Sequence, residues 1–191
     1  MTEKKTRWIL ILSLIITVML TGFACNQNDD GSDNGVDNHD NEEVSTYEAQ
    51  LYFVNSEYAI TGDENLEHFL LETRELTVPE NENPWLQILD ELKIVDNDDA
   101  ETAITKETIF GDIYVSSEDD SIMIVDLNSH NTGGSTMEGF FIRQIVRTIV
   151  NNAILFEESA NVDKVQFLLN GEKIESLMGH FDASEPFYGS D

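Results

Sequence analysis

The groups in this chain with the chemistry for catalysis or metal binding are its carboxylates, four histidines, one cysteine, and serines at positions 129 and 135. Two carboxylates can act as general acid and base, but that work needs one acid whose pKa is raised inside a pocket. Asp and Glu supply 38 of 191 residues, so exposed acids are the background, and no spacing makes one pair stand out from it. Ser129-His130 and Ser135 offer a nucleophile near a base. The strand-to-helix Gly-x-Ser-x-Gly elbow that presents such a serine is missing around both, and Ser135 is better explained as a helix cap. Zinc asks for His and Cys ligands at short, fixed spacing. His39, His68, His130 and His180 form no His-x-His or His-x-x-x-His pair, and no cysteine accompanies them in the part of the chain expected to fold. Asp30, Ser32, Asn34 and Gly35 share the spacing of a calcium loop, yet the twelfth position, where a bidentate glutamate belongs, is Asn41. Gly133-Gly134 before a helix could receive an anion at the helix start, but no lysine follows. The residues alone therefore lead us to expect no catalytic residue, no metal and no cofactor.

Cys25 has a different use. Lys4, Lys5 and Arg7 form a basic start, residues 8–20 are an uncharged run that is apolar but for Ser13 and Thr17, and the small residues Thr21, Gly22 and Ala24 lead into the cysteine. That is the order of an export signal with its processing site. The segment resembles the lipobox of bacterial lipoproteins, with Ala24 and Cys25 carrying the resemblance. It implies cleavage before Cys25, a diacylglyceryl thioether on its sulfur, and the two-chain anchoring that holds a protein stably on a membrane. The alternative is an uncleaved transmembrane helix, since residues 8–24 approach the roughly 20 apolar residues that a bilayer core requires. Either way the remainder is expected on the extracytoplasmic face of the cell membrane, in an envelope of Gram-positive type.

With a single cysteine no intrachain disulfide can form, so an exported domain must be held by its core. The net charge is −28, and the leader carries three of the ten basic residues, so the mature chain is more acidic still. Such a field repels phosphate backbones and anionic headgroups, which excludes nucleic acid and a domain lying flat on lipid. Basic proteins, divalent cations or a saline or alkaline exterior suit it better. Residues 26–43 are almost wholly Asn, Asp, Gly, Gln, Ser and Glu. They cannot bury enough apolar surface to offset ordering, and a flexible stretch of that length reaches about 25 Å. The resulting division is a signal peptide over 1–24, an acidic tether over 25–46 and a folded domain over 47–191.

The elements that must position any site follow from periodicity. Residues 49–54 read as a strand, then a turn at 55–57, and a second extended stretch within 66–78, where a short helix from Asn65 is the alternative and His68 takes the polar face. Asn83 caps and Pro84 opens a helix whose Trp85, Leu86, Ile88, Leu89 and Leu92 share one stripe, ending by Val95. Residues 108–115 and 122–127 form an antiparallel hairpin. Ser135 with Glu138 has the spacing of a capping box that opens a long helix through about Phe156. Phe141, Ile142, Ile145, Val146, Ile149 and Ala153 fall on its apolar face, and Arg143, Gln144, Arg147 and Asn151 on the other. Residues 162–169 are a last strand, and Asn170-Gly171 is a hairpin-type turn into 172–174. This order predicts an α+β domain, a mostly antiparallel sheet with two helices packed on one face.

The run Ile124-Val125-Asp126-Leu127, the Gly133-Gly134-Ser135 break with Glu138, the long helix through Thr148-Ile149, the strand from Val162 to Phe167 and the Asn170-Gly171 turn together resemble the GerMN domain of bacterial sporulation and germination lipoproteins. The strand at 51–54 and the helix at 85–92 sit where that family has them, and Gly179-His180 and Pro186 match a segment that its members carry. The resemblance spans most of residues 47–187 and implies a non-catalytic protein-interaction or assembly domain, active in sporulation or germination. Some members carry two such domains in tandem, and this chain has room for one. Implied partners are the membrane, through lipid on Cys25, envelope or sporulation-complex proteins, and a second copy. Arg143 and Arg147, rare positives one turn apart, and His180, which would hold the tail against the sheet, are the candidate partner surface. A small-ligand or cell-wall glycan-binding lipoprotein is the competing class, and an aromatic-lined cleft would favour it.

Overall fold

Alternation along β1 (Val44–Asn55) buries Ala49, Leu51 and Phe53 while Thr46 and Glu48 face solvent, the period of a half-buried strand. The computed structural model describes residues 43–189, all within the compact unit formed by residues 40–191. The tether over 26–42, the leader and Cys25 lie outside those residues. β1 pairs antiparallel with β2 (Phe69–Pro79) from Val44↔Pro79 to Val54↔Phe69. The strand thus starts ahead of position 47, and residues 44–46, assigned above to the tether, are paired backbone. The two strands are joined through a short helix in place of the expected turn: α1 (Ser56–Thr61) begins where Asn55 Oδ1 accepts from the Glu57 and Tyr58 amides at 3.0 and 3.3 Å. It stops at Gly62, whose φ of 64° suits a residue without Cβ. β3 (Ala100–Glu101) pairs with the end of β1 on its other edge.

The second sheet runs β4 (Ile109–Val115), β5 (Ile122–Ser129), β6 (Lys164–Leu169), β7 (Glu172–Lys173), with β8 (Phe187–Tyr188) also on β6. β4 and β5 are the expected hairpin, and β6 joins parallel to β5 because α3 (Ser135–Asn152) crosses between them. All other strand pairs are antiparallel. The fold is α+β as expected, with its strands divided between two sheets that contribute to one core.

Side chains of the helices explain why the sheets do not merge. On the edge of β1 beyond β3, Asn152 of α3 stands in for a strand: its Oδ1 accepts from the Gln50 amide at 2.8 Å and its Nδ2 donates to the Gln50 carbonyl at 2.7 Å. One turn earlier, Thr148 Oγ1 accepts from the Tyr52 amide at 3.3 Å. These contacts satisfy backbone groups that would otherwise be orphaned. Asn83 does similar work at β4. It caps α2 (Pro84–Glu91) by accepting from the Trp85 amide, and its Nδ2 donates to the Ile113 carbonyl at 2.7 Å. Gln144, placed on the polar face by periodicity, is fully buried, where it accepts from the Ala103 amide at 2.9 Å and donates to Thr102 Oγ1 at 3.1 Å. A polar residue can leave the solvent face when a loop offers it both a donor and an acceptor.

Candidate functional site

The start of α3 is built differently from a capping box. Gly134 is the N-cap, no side chain caps the helix, and Ser135 is its exposed first residue. Glu138 turns away from the helix start and is completely buried. Its Oε1 accepts from Ser176 Oγ and the Met178 amide, both at 2.8 Å, and its Oε2 accepts from the His180 amide at 2.8 Å and His180 Nδ1 at 3.0 Å. Burial pushes its carboxyl pKa upward, but the donors of Met178, Ser176 and His180 outweigh burial and hold it below the ordinary value. A single helix-start amide in water could not compete with four donors converging on a buried carboxylate. His180 therefore secures the C-terminal tail to α3 and not to the sheet.

Beyond that latch the tail runs back along α3 and adds β8 to the edge of β6. Helix and tail leave a cleft of about 210 Å³ between them, lined by Gly139, Ile142, Arg143, Val146, Phe181, Phe187 and Tyr188. Phe181 packs against the helix at Gly139, where a Cβ would lie in ordinary contact, 3.4 Å from its ring. Phe187 packs edge-on against Phe167 of β6, with centroids 5.9 Å apart, and Lys164 Nζ lies 5.6 Å over the Tyr188 ring. The one charged group on the lining is Arg143, which makes no hydrogen bond or ion pair among the described residues. Arg147, one turn on, takes the other flank. Its guanidinium carbon is 5.0 Å from the Phe69 ring centroid and its Nε is buried without an acceptor. Phe69 in turn meets Phe140, which meets Tyr58, and Tyr58 stacks on His68 at 3.9 Å. The three residues expected to form a partner surface thus all touch α3, but in different ways: Arg143 in the cleft, Arg147 on Phe69, His180 on Glu138. The cleft's aromatic wall escaped sequence reasoning, because the tail after 174 shows no periodicity. Its one signal is the density of Phe181, Phe187 and Tyr188 over eight residues.

The family model for Germane, described as "Sporulation and spore germination", matches residues 50–175. The chain belongs to the Germane family. Among solved structures, the "Putative Lipoprotein" of Clostridium perfringens is 21% identical, with a TM-score of 0.47, over 76% of this chain and 89% of that one. The first GerMN domain of the sporulation protein GerM from Bacillus subtilis is 15% identical, with a TM-score of 0.46, over 76% of this chain and 99% of that one. The tandem GerMN domains of the same protein give 15% and 0.44, covering 73% of this chain and 44% of that one. No curated protein matches the sequence.

Within this Germane domain Ser129 and His130 each contact a backbone carbonyl. Ser129 Oγ donates to the Glu107 carbonyl at 2.6 Å, and His130 Nδ1 lies 2.8 Å from the Asn131 carbonyl oxygen. Each is bonded elsewhere than to its neighbour, so they are not paired as nucleophile and base. His68 Nε2 lies 3.2 Å from Glu64 Oε2 on the surface. Among the described residues no three His, Cys, Asp or Glu side chains are grouped to hold a metal, and no helix is long and apolar enough to cross a membrane. His39, Cys25 and the 30–41 loop lie outside those residues.

Proposed function

We propose that this Germane protein is a lipid-anchored, extracytoplasmic association module that acts by surface contact and not by turnover, in an assembly serving sporulation or germination. Lipid on Cys25 would confine it to two dimensions, and the acidic spacer would set its reach, so that effective concentration at the membrane replaces intrinsic affinity. The observation that carries this reading is the outer ridge of α3. Arg143 and Arg147 stand one turn apart with no acidic partner among the described residues, on a chain whose net charge is −28. Cations left without an acidic partner on such a surface are suited to steering and registering a partner. Both are half-buried, but Arg147 also packs on the Phe69 ring, so the test is Arg143→Glu. Recovery of envelope partners from membranes with the lipidated protein should fall while the melting temperature stays within about 2 °C of wild type. Unchanged recovery removes this ridge as the interface. Anchoring is tested separately by mass spectrometry of the mature N-terminus and of Cys25→Ser. Absence of lipid mass on the wild type, with identical processing of both, defeats it.

The cleft supports a second reading, a lipoprotein that binds a small ligand. Its walls are the rings of Phe181, Phe187 and Tyr188, the feature expected above to favour that class.

A further inference from the structure

We propose that the cleft between α3 and the C-terminal tail binds a monoanion with a compact apolar body: a carboxylate attached by a short arm to one aromatic ring or one branched aliphatic group. This deepens the small-ligand reading and rests on it.

Shape, lining and charge each narrow the ligand. A dry cavity of about 150 Å³ accommodates benzene, so about 210 Å³ takes one ring with a short arm. Ile142, Val146, Phe181 and Phe187 give that body an apolar seat, with Gly139 on the helix side. Recognition of charge falls to Arg143, whose guanidinium fork matches two oxygens of a carboxylate or phosphate. The net charge of −28 disfavours phosphate monoesters, which carry close to two charges at neutral pH. A dianion meets twice the repulsion of a monoanion in the same field and finds a single guanidinium to offset it. A glycan could stack on these rings, but its many hydroxyls need many hydrogen-bonding side chains, and the lining offers two, Arg143 and Tyr188. Such a carboxylate has two sources, a free small acid or the last residue of a peptide chain, and the chemistry at Arg143 is the same for both.

The test is calorimetric titration of the full lipidated chain in nanodiscs, against empty nanodiscs, with four probes: 3-phenylpropanoate, its neutral amide, N-acetyl-Gly-Gly-Gly-Phe, and N-acetyl-Gly-Gly-Gly-Phe-amide. At least one acid should bind, and its amide at least 10-fold more weakly. Binding of 3-phenylpropanoate alone assigns the site to free acids; binding of the tetrapeptide acid assigns it to chain ends. Arg143→Gln should remove the acid-over-amide preference, whereas Phe181→Ala should weaken acid and amide alike by at least 5-fold and leave the preference in place. Val146→Phe, filling the cleft, should abolish binding; circular dichroism checks its fold, and if it misfolds Phe181→Ala carries the same test. Equal binding of acid and amide, no binding of either acid, or a preference that survives Arg143→Gln overturns the proposal. Loss of ligand binding in Phe181→Ala with partner recovery intact separates this site from the association reading, which depends on the outer ridge.

Discussion

Replacing Glu138 with Gln changes one oxygen to an amide group of nearly the same size and removes the charge. Oε1 of the amide can still accept from Ser176 Oγ and the Met178 amide. The new NH2 group, however, faces the His180 amide, so a donor is set against a donor where Oε2 accepted at 2.8 Å. The Nδ1–H of His180 loses its acceptor as well. Hydrogen bonds to a charged group contribute about 1.5–3 kcal/mol each, and a buried donor left unpaired costs about 1–3 kcal/mol. The tail can relax, because His180 is partly exposed and water can reach its amide. The net loss should then be about 2–4 kcal/mol. In a domain near 150 residues each kcal/mol moves the melting temperature by about 2–4 °C, which puts the variant about 5–15 °C below wild type. Ser135→Ala is the paired control. Ser135 is exposed and caps nothing, so its loss should stay within about 0.5 kcal/mol. The pH dependence has a definite sign. A carboxyl whose folded pKa lies below its ordinary value near 4.5 contributes stability that is complete above that value and lost as pH falls through the lower, folded one. Glu138→Gln should remove that contribution, so the gap between wild type and variant should be widest at neutral pH and narrow as the solution is acidified below pH 4.5. Melting curves and amide hydrogen exchange at Met178 and His180 measure both effects. A Ser135→Ala variant that loses about 1 kcal/mol, the usual cost of a missing cap, beside a Glu138→Gln variant that loses less than about 0.5 kcal/mol, would refute the latch and restore the capping box.

Asn152→Ala should cost about 2–3 kcal/mol by orphaning the Gln50 amide and carbonyl, and faster exchange of the Gln50 amide, with that of Glu48 unchanged, locates the effect. Asn83→Ala removes both the α2 cap and the bond to Ile113, so urea denaturation should show a loss of about 2 kcal/mol, more than the roughly 1 kcal/mol of a cap alone. Arg74→Met should destabilise by about 2 kcal/mol at low salt, because Glu72 and Glu91 lose a guanidinium at 2.9 Å and the carbonyls of Glu91 and Ile94 lose a donor. Arg74→Lys should recover only part of that, since an ammonium cannot span all four acceptors.

Local chemistry was legible in the sequence wherever an element satisfies itself. The alternation of 49–54, the Asn83-Pro84 start, the stripe from Phe141 to Ile149, and the Asn170-Gly171 turn, with φ of 52° and 80°, depend on residues a few positions apart. Tertiary structure decided what the polar residues of α3 do. Glu138 has the spacing of a capping box, yet its partners lie 38 to 42 residues away, and Asn152 completes a strand 102 residues earlier. Periodicity assigns Gln144 to solvent because it counts polarity and cannot see that Thr102 and Ala103 will meet it inside. The parallel join of β5 to β6 and the cleft under Phe181, Phe187 and Tyr188 are of the same kind. A polar or aromatic side chain takes the partner that satisfies it best once the chain is compact, and the sequence fixes that partner only through the packing of everything between.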